Sequence, residues 1–210
     1  MILKKLIVGP LGTNCYIFGS NDTREVVIID PGAEPETIIN EINEIGAIPI
    51  AILLTHAHFD HTMKLGTVKR KFHIPLMYNK KEFDTGIYVQ KMADKWLNEG
   101  DTIKIGKITL HVLETPGHSP GSLIFYSKDV NEYNGKKIDG VIFTGDLLFR
   151  GSIGRTDLHG GSSELLFSSI RNKIMRNTEL SDDFLVLPGH MGNTSIGIER
   201  KSNIFKDYFS

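Results

Sequence analysis

The sequence predicts a layered, mixed α/β fold, and three observations predict it. Short apolar runs closed by Gly or Pro-Gly recur along the whole chain, amphipathic segments at helical spacing alternate with them, and one pair of runs is written as a hairpin. No linker, low-complexity tract or fixed-period repeat divides the 210 residues, so residues 1–210 are expected to form one domain.

In chain order, "LKKLIVG", "NCYIFG" and "EVVIIDPG" read as the first three strands, each stopped by Gly or Pro-Gly. "EPETIINEINEIG" sets Ile38, Ile39, Ile42 and Ile45 at helical spacing and stops at Gly46. "IPIAILLT" is a continuous apolar run, the pattern of a strand covered on both faces. A helix follows from Thr62 to His73, with Met63, Leu65, Val68 and Phe72 apolar, and then "IPLMYN" as a strand. Residues 80–100 carry the weakest pattern, with a helix expected around "YVQKMADKWL". "TIKIGKITLHVLETPG" reads as a hairpin turning at Gly106, and "SLIFYS" and "GVIFTGD" as further strands. Residues 162–176 form an amphipathic helix, with Ser162 or Ser163 as N-cap and Glu164 in the first turn. "FLVLPGH" is another buried strand, and "SIGIERKSNIFKDYF" a terminal helix.

Composition removes several classes of function. A formal net charge of -1 gives no global field for nucleic acid or membrane, and "KRK" at 69–71 is too small a basic patch to supply one. No apolar run approaches the ~20 residues that span a bilayer. The opening "MILKKLIVGPLG" has too short an apolar run for a secretory signal and reads better as a strand. Cys15 is the only cysteine, so no internal disulfide is possible and a reducing, cytoplasmic setting is expected. Asn-x-Ser/Thr at Asn21 and Asn193 are then chance matches. Cys15, inside an apolar strand, is expected to be core.

The chemistry concentrates in "THAHFDH", residues 55–61, where His56, His58, Asp60 and His61 crowd a loop directly after the apolar strand. Imidazole nitrogen and carboxylate oxygen suit zinc, iron or manganese. An H-x-H pair in an extended turn can aim two imidazoles to one side, because side chains two apart share a face. So tight a loop cannot easily give all four groups to one ion, but two adjacent ions could share them. Three more candidates stand just past apolar strands, at His118 in "TPGHSPG", Asp146 in "FTGDLLF" and His190 in "LPGHMGN". Strand ends are where open α/β sheets build their sites.

H-x-H-x-D-H followed by separated His, Asp and His resembles the metallo-β-lactamase superfamily, and Asp30 in "IIDPG" matches that superfamily's early strand-end Asp. The resemblance implies a four-layer αβ/βα sandwich with a metal site on one edge. It implies one ion held by His56, His58 and His118 and another by Asp60, His61 and His190. Asp146 would bridge both, and Asp30 would support from behind. Two divalent ions, zinc foremost and iron or manganese also suited, would ionise a water between them near neutral pH to attack a carbonyl carbon. Asp60 would help to orient that nucleophile.

"GDLLFRGSIGRTDLHGG", "GTNCY" and "PGHMGNTSIGIER" narrow the resemblance to the hydroxyacylglutathione hydrolase (glyoxalase II) group, in its short bacterial form. Those enzymes cleave S-D-lactoylglutathione to D-lactate and glutathione, so a small acyl-thiol is the expected partner. Arg155 takes the place of the group's thiol-binding Lys and is expected to bind substrate. The chain departs from the full-length enzymes twice. About twenty residues follow His190, so their C-terminal helical domain is expected to be absent, and Gly192 stands where they carry a Tyr. A persulfide dioxygenase with one Fe(II), suggested by "GRTD", and a lactonase remain alternatives, as does a metal-binding scaffold without activity. His73, His111 and His159 are assigned no metal, with His159 placed nearest to substrate. The oligomeric state is not legible in the sequence.

Overall fold

A computed structural model describes residues 1–90 and 92–209. Apolar strands with both faces covered dominate it. The first half gives β1 (Ile2–Val8), β2 (Thr13–Gly19), β3 (Glu25–Ile29), α1 (Pro35–Glu44), β4 (Ile48–Leu53), α2 (Phe59–Thr62), α3 (Leu65–Phe72), β5 (Leu76–Tyr78), α4 (Lys80–Asp84) and β6 (Lys95–Trp96). Its six strands form one sheet in sequence order, antiparallel from β1 to β3 and parallel from β3 to β6.

The second half gives β7 (Thr102–Ile105), β8 (Ile108–Glu114), β9 (Leu123–Ser127), a small hairpin of β10 (Glu132–Tyr133) and β11 (Lys136–Lys137), and β12 (Gly140–Gly145). After these come a second small hairpin of β13 (Leu148–Phe149) and β14 (Ser152–Ile153), then α5 (Ser163–Ser169), β15 (Phe184–Pro188), β16 (Thr194–Ser195) and α6 (Ile196–Ser202). Here the sheet order is β16-β15-β12-β9-β8-β7, with β12 and β15 parallel.

Three buried clusters define four layers. Tyr16, Phe18, Val27 and Leu53 from the first sheet meet Leu110, Phe125, Val141 and Phe143 from the second. Behind the first sheet, Ile17, Ile28 and Ile52 pack on Ile38 and Ile42 of α1 and on Val68 of α3. Behind the second, Ile124, Ile142 and Val186 pack on Leu166, Ile170 and Ile196. The expected αβ/βα sandwich is therefore the observed architecture. Two main-chain hydrogen bonds cross between the sheets at one edge, from Asn14 N to the Gly189 carbonyl (2.7 Å) and from Leu123 N to the Thr55 carbonyl (2.6 Å). Among the described residues no helix is long and apolar enough to cross a membrane.

Several boundaries differ from expectation, each for a local reason. No helix forms among the described residues of 88–97. There Asp94 N donates to the Leu76 carbonyl (2.8 Å) and Leu97 N to the Tyr78 carbonyl (2.9 Å), so the segment runs as an edge strand beside β5. Residue 91, within that expected helix, lies outside the described residues. The helix expected over 62–73 is broken at Lys64, whose N–H is drawn to the Gly32 carbonyl (3.0 Å), and only then does α3 begin. The expected terminal helix stops after α6 at extended Asn203, and a single 3₁₀ turn, Lys206–Tyr208, follows. Ser162 is the N-cap of α5, its hydroxyl accepting from Leu165 N, and the helix continues over Ile170–Met175 in wider π winding. "IPIAILLT" is covered only in its second half, since Ile48 is exposed.

Candidate metal centre

The strand ends that carry the candidate residues reach one edge of the sandwich. Asp30 follows β3, the 55–61 loop follows β4, His118 lies between β8 and β9, Asp146 follows β12, and His190 follows β15. All seven candidate ligands come together there. They fall into overlapping groups: His56 with His58 and His118; His56 with His61 and Asp146; and Asp60 with His61 and His190.

Around His118 the neighbours are nitrogens. Its Nε2 lies 2.9 Å from His58 Nδ1 and 3.2 Å from His56 Nε2, with Asp146 Oδ2 at 3.6 Å. The outer atoms decide which nitrogens are bare. His118 Nδ1 faces the Arg155 carbonyl at 2.8 Å, and a carbonyl only accepts, so the proton sits on Nδ1. Thr55 Oγ1 donates to Asp30 Oδ2 (2.6 Å) and so accepts from His56 Nδ1 (3.2 Å). Burial, with His61 and His118 close by, holds His56 well below the ordinary histidine value, and burial with His118 brings His58 down to about 4. His56 and His58 are thus kept neutral, and the outer bonds of His56 and His118 leave their Nε2 lone pairs facing each other across the gap.

The other group is richer in carboxylate. Asp60 Oδ2 lies 3.3 Å from both His61 Nε2 and His190 Nε2. Asp146 places Oδ1 3.5 Å from His61 Nε2 and Oδ2 3.5 Å from His190 Nε2. Burial alone would raise both acids. Hydrogen bonding with His190 and the charge of His61 outweigh it for Asp60, which falls to about 2. Asp146 is drawn well below the carboxylate range, chiefly by the charge of His61. Burial likewise opposes charge on His190, yet Asp146 and Asp60 lift it to about 10, and His61 is raised by Asp30 and Asp146 against its own burial. The paired carboxylates favour positive charge beside them.

A divalent cation would supply that charge. His56 Nε2 and His118 Nε2 face each other bare, and His61 Nε2 and Asp146 Oδ1 are buried without a hydrogen-bond partner. Ligands 2.0–2.1 Å from a tetrahedral ion stand about 3.4 Å apart, close to the spacings found here. The donor set of imidazoles and carboxylates fits zinc, iron or manganese.

Behind the ligands stands a supporting layer that sequence reading found only in part. Asp30, in a left-handed conformation (φ 54°), accepts from Thr55 N at 2.8 Å and holds His61 Nδ1 at 2.9 Å, as expected of its supporting role. His190 Nδ1 is held by the Leu11 carbonyl at 3.2 Å. "GTNCY" acquires a physical meaning: Thr13 donates to Asp60 Oδ2 (2.9 Å), Asn14 Nδ2 to the Pro188 and Met191 carbonyls, and Tyr16 to the Pro188 carbonyl (2.7 Å). At Gly189 an added Cβ would come within 2.3 Å of Asp146 Oδ1, so only glycine lets the His190 loop pass. Cys15 is buried core, as expected. His73 caps α3, and His111 stacks on Tyr126 at 5.0 Å, so neither joins the centre.

A cavity of about 1020 Å³ opens over the ligands. Leu11, Phe59, Phe149, Ile153 and Met191 form much of its wall, with Arg155 and His159 also lining it. The Arg155 side chain is exposed and paired fork-to-fork with Asp157, Nε to Oδ1 at 2.7 Å and an Nη to Oδ2 at 2.6 Å.

Comparison with known proteins agrees with this geometry. The family model described as "Metallo-beta-lactamase superfamily" matches residues 8–190. "Probable metallo-hydrolase YqgX" of Bacillus subtilis is 39% identical, covering 99% of this chain and 98% of that protein. "Hydroxyacylglutathione hydrolase GloC" of Haemophilus influenzae is 35% identical, over 91% of this chain and 92% of that one. Among solved structures, BLEG-1, titled a B3 metallo-beta-lactamase, superposes with a TM-score of 0.85 at 38% identity, over 98% of this chain and 99% of that one. TTHA1623 in a di-iron-bound form gives 0.80 at 32% identity, over 96% and 99%.

Proposed function

The chain belongs to the Metallo-beta-lactamase superfamily, and from that premise we propose that it is a metal-dependent thioesterase that cleaves an acyl-thiol, with S-D-lactoylglutathione the foremost substrate. One observation carries the metal-dependent part: bare imidazole nitrogens and an unpartnered buried carboxylate oxygen converge at ligand spacing. His56, His58 and His118 would hold one divalent ion, Asp60, His61 and His190 a second, and Asp146 faces both groups. Bound there, such ions lower the pKa of water toward neutrality and polarise a carbonyl.

The protein's own groups do the rest. Asp60 stays ionised and, steered by Thr13, keeps an oxygen toward the reacting centre to orient the attacking water. Asp146 holds the two groups of ligands together. The apolar wall of the cavity would give the acyl group a surface to pack against. Arg155 would exchange Asp157 for a carboxylate of the thiol moiety. The thioester reading is supported by the likeness to the Haemophilus influenzae hydrolase and by the Gly-rich loop around Arg155.

The test is a panel of S-D-lactoylglutathione, a lactone and a persulfide, run with metal analysis on one preparation. Thioester turnover with about two ions per chain is the expected result. One iron with oxygen uptake on the persulfide, or a preference for the lactone, would overturn the reading.

A further inference from the structure

Glu82 is a fully buried carboxylate outside the ligand set, on the five-residue helix α4 in a segment whose sequence suggested no role. Its Oε2 accepts from Ala57 N at 2.8 Å. Its Oε1 accepts from Ser119 Oγ at 2.7 Å and from Gly121 N at 2.6 Å. Ala57 sits between His56 and His58, and Ser119 directly follows His118. One rigid carboxylate thus ties together the two chain segments that carry the three-nitrogen group.

The attachment is tight on every side. At Gly121 an added Cβ would lie 2.8 Å from Glu82 Cγ and 2.9 Å from its Oε1, so the loop presses on the carboxylate without clearance. Helix α4 is itself fixed: Asn79 caps it by accepting from Lys81 N, and its Nδ2 donates to the Leu97 carbonyl (2.9 Å) and to Glu114 Oε1 (3.1 Å). A buried carboxylate is costly, and three donors satisfy this one. An apolar residue would fill the same space but would strand two main-chain N–H groups.

We propose that Glu82 is a positioning residue that sets the separation of the His56/His58 segment from the His118 segment, and with it the metal affinity of the three-nitrogen site. This rests on the metal-centre reading above. The hydrogen bonds of Glu82 go to Ala57, Ser119 and Gly121 rather than to a ligand side chain. Glu82 acts through these residues, whose main chain fixes where the imidazoles start. Glu82→Gln keeps the volume but offers one accepting oxygen where two are used, and its NH₂ would face an N–H or O–H donor. One of the two segments is then released.

Zinc competition against a chromophoric chelator tests this on folded protein, with the melting temperature of the metal-free chain measured alongside. In Glu82→Gln one zinc step should weaken about 10–100-fold while the other moves less than about threefold. Placed in a His190→Ala background, the same substitution should weaken the single remaining step. Ser119→Ala removes one donor and leaves both main-chain ones, so it should weaken the same step by less, and it carries the test if Glu82→Gln does not fold. Two unchanged zinc steps would overturn the proposal. So would equal weakening of both steps in parallel with a lowered metal-free melting temperature, which is the mark of a merely structural group. A wild-type chain that takes up no zinc would instead overturn the metal centre itself.

Discussion

Asp146 faces both groups of imidazoles, with Oδ2 between His118 Nε2 (3.6 Å) and His190 Nε2 (3.5 Å) and Oδ1 toward His61 Nε2 (3.5 Å), so its loss would leave cations held by the two groups to repel each other unscreened. Asp146→Ala is expected to lower thioester turnover by more than about 100-fold and to reduce bound metal from two ions to one or fewer. Full turnover with full metal content would refute the shared role. Arg155 stands at a different level, since its fork already has a partner in Asp157, which the carboxylate of the proposed substrate would have to displace. Arg155→Ala should raise KM about three- to tenfold and leave kcat within about twofold, as steady-state kinetics on S-D-lactoylglutathione would read. The candidate ligands were legible because their chemistry is written in side-chain type and placed at strand ends. What orients His118 and His190 was not, because the acceptors are the main-chain carbonyls of Arg155 and Leu11, which any residue supplies. Thr13 and Thr55 fall between these cases. Each is a polar residue beside a recognisable motif, and only the fold shows which atom it meets.

Long elements announced themselves through periodicity, and short ones could not. Strands such as β2, β12 and β15 are covered on both faces, so a continuous apolar run marks them. Helix α4 spans five residues and β6 two, too few for either period to register, and Val89 and Met92 are exposed apolar residues that mimic a helical stripe. Glu82 was hidden by that same brevity. The turn after β15 makes a prediction of its own kind. Gly189→Ala forces a methyl against Asp146 Oδ1, so the loop must shift away from the ligands. We expect zinc content to fall below one ion per chain, with about 1–3 kcal/mol lost in urea unfolding of the metal-free protein. Wild-type zinc content in this variant would show that the loop has room to spare.

Each sheet brings only part of the centre. The first supplies His56, His58, Asp60 and His61, and the second supplies His118, Asp146 and His190. A cation held by either group would therefore cross-link two halves that also meet through the apolar layer around Phe18, Phe125 and Phe143. Chelation should lower the melting temperature by about 5–10 °C, read by calorimetry with and without excess zinc, as expected when ligand at a hundred times its dissociation constant adds about 2.7 kcal/mol. An unchanged melting temperature would mean that no ion binds the folded chain in preference to the unfolded one. The layered architecture was visible in the alternation of strands and helices, but the meeting of the halves was not, because it depends on which strand ends share an edge. At that edge the main chain of one sheet is stitched to the other, Asn14 to Gly189 and Leu123 to Thr55. The sandwich is thus bound like a book, with its spine along the metal centre. The amides of Asn14 and Leu123 should therefore exchange with deuterium only when the whole chain unfolds, and faster exchange at either would show that the spine opens on its own.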